Sequence, residues 1–119
     1  MAGRLAVDFG TSNTVLAVWD EQLKDGVPLF IPEYSHTYHQ GNQEISVIPS
    51  LIHYDTDNRR WIGDQVLQRN LYHSRHTFRW MKRYISQRSP IKIKIDGRDI
   101  TPFIAGRDFL TTLLVFAAQ

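Results

Sequence analysis

The chain has 119 residues, 42% of them hydrophobic and 22% charged, which suits one globular domain with a modest core. No apolar run approaches the roughly 18 to 20 residues of a membrane helix, and the start reaches Asp8 too early to hold the apolar stretch of a secretory leader. With no cysteine there is neither a disulfide framework nor a thiolate zinc site, and a soluble, cytoplasmic protein is expected.

The net charge of +2 conceals a polarised layout. Residues 1–64 hold four Lys/Arg and nine Asp/Glu, whereas residues 65–95 hold eight Lys/Arg and no acid. Such a basic segment can attract phosphates by plain Coulomb forces. It can equally be a solvated face balanced in space by the acidic first half.

In chain order, Arg4–Phe9 reads as a short apolar strand ending at the turn formers Gly10-Thr11-Ser12-Asn13. Thr14–Trp19 is β-prone and completes a hairpin. Asp25-Gly26 signals a second turn before Val27–Ile31, so a three-stranded meander is expected. Residues 32–44 are polar and read as a loop. Ser50–Tyr54 and Arg59–Ile62 form another strand pair, joined by Asp55-Thr56-Asp57-Asn58. Asp64 is placed to cap a short helix that runs to about Arg69.

Residues 74–85 carry Phe78, Met81, Tyr84 and Ile85 at helical spacing, with Ser74 or Thr77 as caps. Ile91, Ile93 and Ile95 alternate with lysines as a half-buried strand, which turns at Asp96-Gly97 into Arg98–Ile100. The last helix has Thr101 as N-cap and Pro102 in its first turn, with an apolar stripe of Phe103, Leu110, Leu113, Leu114 and Ala117. Ala117-Ala118-Gln119 carries no stop signal, so truncation of a longer domain is expected.

The segment richest in chemistry is Leu5–Val18. An Asp ending a strand, followed by Gly and hydroxyl residues in a tight turn, suits phosphate and magnesium. Gly10 permits close backbone approach, and successive N–H groups can form an anion nest. Thr11 and Ser12 add hydroxyl donors, and Asp8 supplies the hard oxygen that a hydrated Mg²⁺ prefers. Taken by itself, the same string also fits an ordinary hairpin turn.

Asp8-Phe9-Gly10-Thr11-Ser12-Asn13-Thr14 resembles the first phosphate loop of the actin, sugar-kinase and Hsp70 (DnaK) ATPase superfamily. Three further segments resemble Hsp70 chaperones in order and spacing: Ile48-Pro49-Ser50-Leu51-Ile52, Trp61-Ile62-Gly63-Asp64-Gln65-Val66, and Thr77–Ile85 with its Lys82-Arg83 pair. Ser86 departs from the Gly usual there, and residues 32–44 make an unusual insertion.

The resemblance implies an α/β fold, α+β in detail, of the ribonuclease H-like actin/Hsp70 kind, present as its first lobe only. Residues 1–31 would form the meander with the phosphate loop, residues 32–100 a smaller α+β subdomain, and residues 101–119 the start of a helix. It further implies ATP or ADP with Mg²⁺ as cofactors, and client polypeptides and co-chaperones as partners of the complete protein. Asp8 would organise the magnesium water shell. Gly10, Thr11, Ser12 and Asn13 would bind the β- and γ-phosphates, and Lys82 would act in catalysis near the γ-phosphate. Arg83 is a structural ion-pair partner in this scheme.

The same residues bear on other classes. No Gly-rich P-loop or dinucleotide fingerprint occurs, and Asp8-Phe9-Gly10 lacks the other protein-kinase motifs. His36/His39 and His73/His76 lack a third metal ligand and read as surface residues. Arg69, Arg75, Arg79, Lys82, Arg83 and Arg88 interleave with Tyr72, Trp80 and Tyr84, as in a module that stacks single-stranded nucleic acid bases. A helical stripe would instead turn those aromatics inward. An actin-like filament or scaffold ATPase is the remaining alternative.

Overall fold

The computed structural model describes residues 4–57, 59–85 and 91–118. Its first element is a hairpin of β1 (Leu5–Phe9) and β2 (Asn13–Asp20), in register from Leu5 opposite Val18 to Phe9 opposite Thr14. β3 (Asp25–Pro28) pairs with the far half of β2. The turn before it is Glu21–Lys24, not Asp25-Gly26. Asp20 fixes that turn, because its carboxylate accepts from the N–H groups of Gln22 and Leu23 at 2.8 and 3.1 Å.

The expected loop over 32–44 is a strand and the start of another. β4 (His36–Gln40) and β5 (Gln43–Pro49) form a hairpin closed by Gly41-Asn42, with Gly41 at φ +64°. Most of β4 is exposed, so no alternation of apolar residues marked it as a strand. β5 also pairs with β2 at Asn13 and Thr14, so the sheet runs on past residue 31 in the order β1-β2-β5-β4.

β6 (Ile52–Tyr54) and β7 (Arg60–Ile62) pair as expected, although Asn58 of their turn lies outside the described residues. α1 (Asp64–Gln68) is capped by Gly63 and not by Asp64. Gly63 has φ +63°, and a Cβ there would lie 2.5 Å from the Tyr34 carbonyl oxygen. The Asp64 carboxylate is taken up elsewhere: it faces His36 Nδ1 at 2.8 Å and accepts from Gln68.

The helix expected over 74–85 is confined to α2 (Met81–Ile85). Thr77–Phe78 form β8, which pairs with β6 and buries both side chains. Tertiary pairing there overrides a helical spacing of apolar residues. Ser86 and Arg88 lie outside the described residues. β9 (Ile93–Ile95) and β10 (Arg98–Ile100) form the expected hairpin, with positive φ at Asp96 and Gly97.

α3 (Pro102–Ala117) starts as anticipated, with the Thr101 hydroxyl accepting from the Ile104 N–H at 3.2 Å. Its buried face is Ala105, Gly106, Phe109 and Leu113, with Leu110 and Ala117 partly covered. Phe103 and Leu114 of the expected stripe are exposed, at 60% and 42%. Phe109 packs on Phe9 at 5.9 Å, so α3 lies beneath the first hairpin. One core joins Leu16, Ile48, Ile52, Met81, Phe109 and Leu113. The result is a mixed α+β domain of mostly antiparallel sheets, with three helices among the described residues. No helix among them is long and apolar enough to cross a membrane.

Candidate site at the 10–13 turn

The turn after β1 is held from three directions. The Gly10 N–H donates to the Asn13 carbonyl at 2.9 Å, closing a tight loop. A Cβ on residue 10 would collide with that carbonyl, so glycine is required for space, and its φ is not positive. The Ser50 N–H donates to the Ser12 carbonyl at 3.0 Å. The Ser50 hydroxyl donates to the Gly10 carbonyl at 2.9 Å, and Thr14 Oγ1 lies 2.8 Å from Ser50 Oγ. Since the Ser50 proton is committed to Gly10, the Thr14 hydroxyl must donate to Ser50. Both side chains are buried.

These bonds use the Gly10, Ser12 and Asn13 carbonyls and, of the amides at residues 10–12, only that of Gly10. Among the described residues, the Thr11 and Ser12 N–H groups meet no protein acceptor. Two adjacent free amides beside hydroxyl side chains favour an anion. Thr11, Ser12 and Asn13 open onto a cleft of about 210 Å³, with Tyr72, Arg79 and Trp80 also on its wall.

The structure therefore gathers Thr11, Ser12 and Asn13 at one cleft, with Gly10 shaping the turn. Asp8 and Lys82 are not part of its lining. Asp8 is exposed on β1, and strand alternation turns it away from the face on which Phe9 meets the core. Lys82 is exposed on α2, two residues beyond Trp80. Among the described residues no three His, Asp or Glu side chains come together as a metal site. A Mg²⁺ ion that keeps its waters needs only one or two carboxylates plus phosphate oxygens, and Asp8 offers one such carboxylate.

The sequence presents Arg79 only as one of several interleaved cations. Its guanidinium donates to the Tyr72 carbonyl and lies 5.0 Å from the Tyr72 ring centroid and 5.3 Å from that of Trp80. Nothing in the sequence marked it, because the arrangement depends on the non-helical path of residues 72–80. On that path Trp80 is 40% exposed, whereas Tyr72 and Tyr84 are half-buried. The histidines are less uniform than expected, since His53 is buried and His36 pairs with Asp64. No known protein family matches the chain, and no characterised protein is significantly similar to it in sequence.

Proposed function

We propose that the 10–13 turn is a phosphate loop and that the chain is the first lobe of an ATPase of the actin/Hsp70 kind, acting as a chaperone in its complete form. The observation that supports this most is the pair of free amides at Thr11 and Ser12, in a turn whose Gly10, Ser12 and Asn13 carbonyls are engaged. Such a turn presents positive dipoles outward and can accept the oxygens of a polyphosphate. Phosphoryl transfer depends on positioning and charge neutralisation, which are the services a fixed amide nest provides. Asp8 would hold the water shell of a Mg²⁺ ion, whose contribution when bound is to neutralise phosphate charge. ATP would be the nucleotide, with client polypeptides and co-chaperones as partners of the complete protein.

Lys82 provides the test. In this reading it approaches the γ-phosphate when the complete site is assembled, and it contributes mainly in the transition state. Lys82→Ala should lower ATP turnover of the full-length protein by at least about tenfold, a loss of only ~1.4 kcal/mol. Its side chain is exposed, so melting temperature should not change. Unaltered turnover with a lowered melting temperature would make Lys82 structural and remove the reading's most specific residue.

Trp80 keeps a second reading in view, since an exposed tryptophan beside an arginine can stack a base. Affinity for single-stranded oligonucleotides that falls steeply with salt would favour it over the ATPase. Concentration-dependent polymerisation of the full-length protein would point to the filament alternative.

A further inference from the structure

We propose that Arg79 is the cation with which this cleft binds the distal phosphoryl group of a polyphosphate chain, the remaining oxygens lying on the Thr11 and Ser12 amides. The inference rests on the phosphate-loop reading above and adds the residue that faces the loop across the cleft. Both Arg79 and the loop line the same cavity of about 210 Å³, whereas Lys82 does not. That volume is below the roughly 300–1,000 Å³ of pockets that enclose a drug-sized ligand, so it suits the phosphate tail and not a whole nucleotide.

Three features hold the guanidinium ready. The bond to the Tyr72 carbonyl consumes one of its five donors, and the Tyr72 and Trp80 rings confine its position. No carboxylate pairs with it among the described residues, so its charge is not neutralised within the chain. Trp80 itself has φ +56°, a left-handed conformation that is costly for a bulky side chain. Its carbonyl accepts the Arg83 N–H that opens α2, so the kink at Trp80 separates β8 from the helix and leaves Arg79 on the cleft wall. Backbone strain of this kind persists where the surroundings enforce it, and it clusters at ligand sites.

A planar fork at a fixed position binds a phosphoryl group through two N–H donors, which a lysine cannot reproduce. The site would thus prefer chains with a terminal phosphate at a set distance from the loop, whether free or carried by a nucleoside.

The test is a titration of the full chain with magnesium tripolyphosphate and, separately, with Mg-ATP, followed by NMR at the Thr11 and Ser12 amides, the Arg79 Nε–H and the Trp80 indole N–H. Shifts in all four groups are expected at millimolar ligand, with the same pattern for both ligands. Arg79→Gln should weaken tripolyphosphate binding about tenfold and Arg79→Lys should restore only part of it. Loop amides that respond with unchanged affinity in Arg79→Gln would overturn the role of Arg79 while leaving the phosphate loop standing. If neither ligand moves the loop amides, both readings fall. Should Arg79→Gln not fold, a wild-type Arg79 Nε–H that stays still while the loop responds decides against the proposal on its own.

Discussion

His53 sits in β6 with only 6% of its surface exposed, and its protonation state can be read from its neighbour. The Thr77 hydroxyl donates its one proton to the Leu71 carbonyl at 2.6 Å, so at 2.8 Å from His53 Nδ1 it must accept. The neutral ring therefore carries its hydrogen on Nδ1. Burial lowers the affinity of this imidazole for a second proton; Asp55 opposes the effect, and His76, its ring 6.2 Å away, reinforces it. The folded pKa lies below the ordinary histidine value of 6.5, so below that pH the unfolded chain binds more protons than the folded one. Stability should be full above about pH 6.5 and fall as pH drops through the window beneath it. Urea midpoints at mildly acidic and neutral pH check this, and His53→Gln should flatten the slope. A slope unchanged by that substitution would assign the pH dependence to other groups.

Gly63 links two elements, and its replacement has a definite sign. The left-handed φ already disfavours a side chain, and an alanine Cβ would lie 2.5 Å from the Tyr34 carbonyl oxygen and 3.0 Å from Ile48 Cγ2. That carbonyl cannot withdraw freely, because it accepts the Asp64 N–H at 2.9 Å as α1 begins. Gly63→Ala should therefore cost at least about 2 kcal/mol, read from the urea midpoint. A neutral result would mean that α1 can shift away from residues 31–35. The same junction shows what could be read in advance. The sequence shows Gly63 only within the Trp61–Val66 segment; it predicts the short helix that follows and offers Asp64 as its cap. His36, 28 positions away, competes for that carboxylate, and no local rule sees it. Elements defined by neighbours in sequence, such as the β1–β2 hairpin and the Thr101 cap, were anticipated. β4 and β8 were not, because β4 is largely exposed and carries no apolar alternation, while β8 exists through its pairing with β6. The candidate site divides likewise: the loop was visible as a string, whereas the Thr14–Ser50–Gly10 hydrogen bonds and Arg79 depend on long-range packing.

At the scale of the whole molecule, shape and charge bear on how firmly a nucleotide can be held. The radius of gyration is 15.2 Å, above the about 13.5 Å expected for a compact domain of this length. The extents of 50 × 29 × 27 Å describe an elongated body. A cleft of about 210 Å³ can cover a phosphate tail and leaves ribose and base in water. The eight basic residues between 65 and 95 add attraction, but exposed charges are screened within about 10 Å at ordinary ionic strength. Association must also offset an entropic cost of at least about 4 kcal/mol, and a few solvent-facing hydrogen bonds exceed that by little. The chain alone is thus expected to bind Mg-ATP no more tightly than the millimolar range, with affinity falling as salt rises. Calorimetry at millimolar Mg-ATP and two salt concentrations makes the check. A micromolar dissociation constant that ignored salt would mean that base and ribose find an apolar pocket elsewhere on this chain, and the 10–13 turn would no longer be the seat of binding.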